Sequence, residues 1–181
     1  MEHSSPTPAP GFLATIRNVD IHTLGLLQRI LLISDGTLTD IVEAAFEEPI
    51  RLVKLALATA PAEAAVEELG VVPGQLLMRR EILLQGVNSG RNYVYAESQI
   101  ALDALPAGLR EDLVTTNRPL GRLWVEHKLE TRKEILRVWR VPAGGANAHF
   151  GDPPRGLIAR AYRVISGGRP IMLIAEYFPA G

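Results

Sequence analysis

The 181-residue sequence contains no cysteine, which excludes disulfides, thiolate metal ligands and cysteine nucleophiles. A chain without thiols fits the cytoplasm, the expected location. No apolar run approaches the ~18 residues that a spanning helix needs, so no stable membrane insertion is expected. The first residues show no basic-then-apolar leader pattern. Neither sign of charge dominates: 19 Lys and Arg stand against 20 Asp and Glu, a formal net charge of −1. That balance gives no electrostatic footprint for nucleic acid. Histidine is scarce, and His3, His22, His127 and His149 share no metal-ligand spacing, so no metal site is expected. The Gly144-Gly145 and Gly167-Gly168 pairs lack the phosphate-loop pattern. What is present is an ordinary globular composition, 47% hydrophobic and 22% charged, at a length that fits a single domain with a sizeable core.

Residues 1–11 are rich in Ser, Pro and Thr and read as a flexible tail, leaving one domain over 12–181. Leu24, Leu27, Ile30 and Leu31 recur at helical spacing, predicting a helix over 21–33 that Ser34-Asp35-Gly36 stops. Thr37 or Thr39 can cap a second helix, with Ile41, Val42, Ala45 and Phe46 on one stripe. An apolar run over 50–58 reads as a strand, and Pro61 with Gly70 brackets a short helix over 61–69. Strands over 76–85 and 92–102 flank a turn and form a hairpin. A short helix falls within 103–117, and Pro119 opens another that places Leu120, Leu123, Trp124 and His127 on one side. Residues 132–141 alternate as a strand. Residues 142–156 form the longest structureless loop, either a lid or a simple insertion. The chain closes with strands over 157–165 and 170–178 joined at Gly167-Gly168. About six strands, several joined as hairpins, predict an α+β fold: one antiparallel sheet flanked by helices.

Two side chains break the pattern. The last strand is almost wholly apolar, which predicts a central strand covered on both faces. Yet Glu176 shares a face with Met172, Ile174 and Phe178. In the strand over 76–85, Arg80 shares a face with Met78, Ile82 and Leu84. Arginine stays charged in essentially any environment and presents a planar fork to a carboxylate. A buried charge must find a partner or face a cavity. The functional reading is a small pocket that takes an anion beside a carboxyl group. The structural reading is a buried Arg80–Glu176 pair, or separate partners for each. Other polar groups have plainer readings. His127 is a helix histidine, and Glu126, Lys128, Glu130, Arg132, Lys133 and Glu134 read as a solvated face. Tyr93 and Tyr95 share a face with Glu97 and either line the pocket or cover the sheet.

Four segments carry a resemblance. They are ILLISDGTLT (30–39), MRREILLQGVNSGRNYVYAES (78–98), NRPLGRLW (117–124) and YRVISGGRPIMLIAEYFPA (162–180). In this order they resemble the chorismate–pyruvate lyase (4-hydroxybenzoate synthase) family, nearest to its cyanobacterial and actinobacterial branch. The resemblance runs from about Leu26 to Ala180. It implies a chorismate lyase-like domain, a six-stranded antiparallel sheet with helices around an internal ligand cavity. It implies elimination of pyruvate from chorismate to leave 4-hydroxybenzoate, with no metal or organic cofactor. By the same resemblance Arg80 holds the ring carboxylate, Glu176 lies near the 4-hydroxyl end, and Leu38 and Leu120 touch the ring or its polar groups, partly through backbone. Leu38 stands where the proteobacterial enzymes have Met. Ala96-Glu97 stands where they read Gly-Arg, so Glu97 replaces a candidate second anion contact. Arg91, Arg122 and Arg169 are the cations considered in its place.

Removing the enolpyruvyl ether from C3 and a proton from C4 makes the ring aromatic, so the protein must mainly orient the substrate and manage one proton. Glu176 is the expected acid or base, with its pKa raised by the apolar strand face. The expected partners are small molecules, with the chain a monomer or homodimer. The competing expectation is a non-catalytic module that binds small aromatic acids, of the fold used by effector domains of GntR-type regulators. Such regulators carry a winged helix before the effector domain; only about twenty Pro-rich residues precede the first helix here, so a self-contained regulator is not expected.

Overall fold

The computed structural model describes residues 16–116, 118–142, 144–151 and 155–181. The tail expected over 1–11 lies outside the described residues. Two antiparallel meanders build the sheet. The first joins β2 (Ile50–Pro61), β3 (Leu76–Gly86) and β4 (Asn92–Ala101); the second joins β5 (Arg132–Val141), β6 (Leu157–Ser166) and β7 (Arg169–Pro179). They meet along an antiparallel β4–β7 seam, where Ala96 lies opposite Glu176. A two-residue strand, β1 (Ile16–Arg17), adds to β5 in parallel. The order is β1-β5-β6-β7-β4-β3-β2. The predicted antiparallel sheet therefore gains a short parallel edge that two residues could not signal.

Helices α1 (Leu26–Ile33), α2 (Leu38–Phe46), α3 (Ala107–Thr115) and α4 (Leu120–Glu126) supply the second layer. They pack on the face carrying Ile82, Leu84, Ala96, Ile100, Tyr162 and Ile174. The α1–α2 pair covers one end of that face, with Leu31, Leu32 and Val42 against Ile82, Leu84, Val94 and Phe178. The α3–α4 pair covers the other, with Leu109, Leu113 and Leu123 against Met78, Ile100, Tyr162 and Met172. The outer face is clothed only in part. Residues 62–77 fold over one corner through Ala62, Leu69, Val71 and Leu77. Strand β7 is central in the sheet, but Leu173, Ala175 and Tyr177 on its outer side are only half-buried, so it is not covered on both faces as predicted.

Local departures have physical causes. The helix predicted over 21–33 splits into a 3-10 turn at Ile21–Thr23, capped by the Asp20 carboxylate on the His22 N–H, and α1 beyond Gly25. No helix forms over 61–69. Strand β2 extends to Pro61, whose missing N–H is harmless at a strand end on the sheet edge. Ala62 and Val66 then bond to Gln75 and Val71, leaving only a 3-10 turn at Glu67–Leu69. The turn between β6 and β7 has Gly167 at φ 55° and Gly168 at φ 77°, the positive pair that a two-residue hairpin needs. The described part of the 142–156 loop is no lid. Its 3-10 turn at Gly145–His149 stacks His149 on Tyr95 at 4.1 Å, on the outer face. No helix among the described residues is long and apolar enough to cross a membrane.

Candidate active site

Between the two helix pairs the inner face keeps a cavity. It is floored by Arg80, Ile82, Ala96, Ser98, Ile174 and Glu176 and walled by the starts of α2 and α4. Its volume of about 70 Å³, taken as the space open to the centre of a water molecule, is several times the ~10–15 Å³ one water requires. The walls approach closely because Gly121 has no side chain. A Cβ there would lie 2.8 Å from Thr37 Cγ2. The first turns of α2 and α4 therefore meet over the cavity, with Thr37, Leu38 and Thr39 and Pro119, Leu120 and Gly121 in its wall. Neither turn has a side-chain cap, so their backbone N–H groups are free of one.

Arg80 is 2% exposed, yet its Nε and Nη2 have no hydrogen-bond partner among the described residues. Burial pushes its guanidinium down to about 10. Lys54 adds positive charge at this end while its Nζ bonds to the Val114 carbonyl at 3.2 Å; burial and then the charge of Arg80 lower its own pKa. A buried guanidinium with unpaired N–H groups is destabilising in the empty protein and forms a ready receptor for a carboxylate.

Glu176 is also buried, but it is not alone. Arg160 Nε donates to Oε2 and the Tyr162 hydroxyl donates to Oε1, both at 2.7 Å. Arg160 in turn donates through Nη1 to the Ser34 carbonyl at 2.9 Å. Burial opposes the charge on Arg160, but the charge and hydrogen bond of Glu176, with Tyr162 and Asp35, together raise its pKa. Burial, then the charge of Glu176, raises the Tyr162 phenol well above its ordinary value, so it stays a donor. The pair weighed from the sequence, Arg80 with Glu176, does not form. Arg80 lies opposite Ser98 and, beyond it, Ile174, two residues along from Glu176. With β4 between, the offset is two strand spacings, roughly 10 Å, by two residues, roughly 7 Å. Glu176 instead meets Arg160, its direct neighbour on β6. Glu176 thus has partners of its own, one of the alternatives read from the sequence, while Arg80 faces the cavity.

Leu38, Arg80, Leu120 and Glu176 line this one cavity. Glu97 does not. It faces the opposite side of the sheet, exposed beside Arg79, Glu81 and Tyr177, and accepts from Tyr95 at 3.0 Å. Tyr95 accordingly lies on the outer face, and Tyr93 stacks on Phe46 at 4.1 Å, so neither lines the cavity. The cations considered in place of the second anion contact also lie elsewhere. Arg91 sits over the Tyr93 ring, Arg122 bonds Glu43 at 3.1 Å, and Arg169 is exposed at the β6–β7 turn. Lys133, assigned by pattern to a solvated face, lines the cavity instead. A bulge between Ile135 and Arg137 shifts the parity of β5 and turns Lys133 and Ile135 inward with Val138. Arg160 carried a signal that the pattern offered: in LIARAYRVIS it alternates with Ile158, Tyr162 and Val164, as Arg80 does in its own strand. His127 is an ordinary helix-end histidine, with Nε2 2.7 Å from Asp112.

Fold and site together define a helix-covered antiparallel α+β domain whose cavity carries a buried guanidinium at one end and a hydrogen-bonded carboxyl group at the other. The crystal structure of PhnF from Mycobacterium smegmatis shares this fold, with a TM-score of 0.62 at 16% identity. That match covers 81% of this chain but 65% of the PhnF chain. A family model described as Chorismate pyruvate-lyase Rv2949c-like matches residues 32–181, and the chain belongs to that family. The chorismate pyruvate-lyase of Mycobacterium tuberculosis is 37% identical over 164 residues, which is 88% of this chain and 82% of the relative. The chorismate pyruvate-lyase of Mycobacterium leprae is 34% identical over 169 residues, covering 91% and 79%.

Proposed function

We propose that this protein eliminates pyruvate from chorismate and leaves 4-hydroxybenzoate, acting in the cytoplasm on a free small molecule. The observation that carries this reading beyond family membership is Arg80, a buried cation with two unpaired donors at a mostly apolar cavity. The ring carboxylate of chorismate completes those donors as a forked pair. The ring then lies along Ile82, Ala96 and Ile174, beneath Leu38 and Leu120, and its far side approaches Glu176. The uncapped first turns of α2 and α4 give backbone donors to the polar substituents there. Glu176, oriented by hydrogen bonds from Arg160 and Tyr162, takes the C4 proton. The C4–H bonding pair becomes the C3=C4 double bond of the aromatic ring as the C3–O bond breaks and its pair leaves with the oxygen. The enolpyruvate that leaves takes up a proton and becomes pyruvate. Orientation and one proton transfer are the protein's share, because aromatisation drives the rest.

Incubation of the purified protein with chorismate, followed by chromatography, tests this reading. Equimolar 4-hydroxybenzoate and pyruvate are expected from the native chain and far less from Glu176→Gln. Tight binding of 4-hydroxybenzoate with no turnover of chorismate would overturn it in favour of a binding module, the role that the fold serves in effector domains.

A further inference from the structure

Chorismate carries a second carboxylate, on the enolpyruvyl ether, that Arg80 cannot also serve. Resting on the function proposed above, we infer that Lys133 and the indole N–H of Trp124 form the subsite for this second carboxylate. Both side chains line the same cavity as Arg80 and Glu176. Lys133 Nζ stands 6.0 Å from the Trp124 ring centroid and 5.4 Å from that of Tyr162. Its one hydrogen bond goes to the Gly36 carbonyl at 2.8 Å, and no carboxylate lies within 4 Å of it among the described residues. An ammonium has three donors, so two remain for a ligand. Trp124 Nε1 is buried and has no hydrogen-bond partner among the described residues, which is unusual for an indole. Burial lowers the pKa of Lys133, with the charge of Glu176 opposing this and that of Arg160 reinforcing it. Glu176 and Asp35 act on Lys133 only from beyond 4 Å, so an arriving carboxylate supplies the direct ion pair that no described residue gives it.

The geometry also assigns the order of the cavity. Arg80 lies on β3 and Lys133 on β5, with β4, β7 and β6 between them. Glu176, on β7, falls between the two cations. A dianion whose two carboxylates reach Arg80 and Lys133 therefore carries its C3–C4 bond across the Glu176 carboxylate. The subsite selects dianions and places the reacting bond. It also gives the departing enolpyruvate a cation to leave toward, so no charge is stranded in the apolar part of the cavity.

Binding of two stable, unreactive probes tests this without turnover. One is 4-hydroxybenzoate, with one carboxylate; the other is 3-(carboxymethoxy)benzoate, whose meta ether bears a second. Both are titrated into the native chain, Lys133→Met, Lys133→Arg and Trp124→Phe. Native protein is expected to prefer the dianion. Lys133→Met is expected to weaken the dianion by roughly 10- to 100-fold, the worth of one or two charge-assisted hydrogen bonds, with 4-hydroxybenzoate unchanged within about twofold. Lys133→Arg should keep most of the preference and Trp124→Phe part of it. Equal weakening of both probes, or no change in either, would overturn the subsite while leaving the lyase reading intact. If the native chain binds neither benzoate, the lyase reading fails and the subsite with it.

Discussion

Arg80→Met separates binding from stability at a single residue. The guanidinium is buried and unpaired in the empty protein, so an apolar side chain of similar length removes a desolvated charge. The variant should melt above the native protein by a few degrees, at ~2–4 °C per kcal/mol for a chain of this size. It should also bind 4-hydroxybenzoate more weakly by about 2–5 kcal/mol. Calorimetry on one preparation, scanned with and without ligand, reads both. A variant that melts lower and binds equally well would show that Arg80 is satisfied by the protein itself. Glu176 behaves in the opposite way. Replacing it with Gln strands Arg160 as a buried charge and should cost roughly 3–5 kcal/mol of stability. The double variant Glu176→Gln/Arg160→Met should recover much of that stability and none of the turnover. Recovery of turnover in the double variant would remove Glu176 from the chemistry. Arg80 and Glu176 were legible in the sequence because strand parity alone puts a charge among apolar neighbours. The partner of Glu176 was not, because parity says which face a side chain takes and not which strand lies beside it.

Elements were legible to the extent that their pattern was periodic. The six long strands and both closing hairpins follow alternation and turn residues. The misread pieces are those where one inserted residue or a tertiary contact overrides the period. The bulge in β5 inverts the outlook of Lys133, and the 62–75 segment takes its shape from packing on the sheet. The β3–β4 turn shows a tertiary clamp of this sort. Glu48, just beyond α2, accepts from the backbone N–H groups of Asn88 and Ser89 and from the Ser89 and Tyr93 hydroxyls. The Tyr93 bond first, and then those of Ser89, draw its carboxyl down to about 2 from 4.5. A depressed carboxyl stabilises the fold above its unfolded pKa and loses that contribution as pH falls through the folded one. Glu48→Gln should therefore flatten the loss of stability between about pH 4.5 and about pH 2, measured by denaturant titration at each pH. An unchanged acid limb would mean that other carboxylates govern it. At the tip of the last hairpin, Gly168→Ala should cost roughly 1–2 kcal/mol, because its φ of 77° is unfavourable for a side chain.

For the whole molecule, a ligand held in the cavity between two helix pairs binds only the folded state. At a hundredfold excess over its Kd, 4-hydroxybenzoate should add about 2.7 kcal/mol and raise Tm by roughly 5–10 °C. A thermal scan with no shift at saturating ligand would mean that the ligand does not occupy the cavity. The β4–β7 seam has a further consequence, for the order in which the chain acquires its form. Each meander closes through connections of at most 15 residues, whereas the seam brings together residues such as Ala96 and Glu176, 80 positions apart along the chain. Long closures are slow, so the meanders should assemble first and dock last. Arg80 belongs to one meander and Glu176, Arg160, Tyr162 and Lys133 to the other. Refolding chains should therefore regain strand structure before any capacity to hold an aromatic acid, and that capacity should return only with the slowest phase.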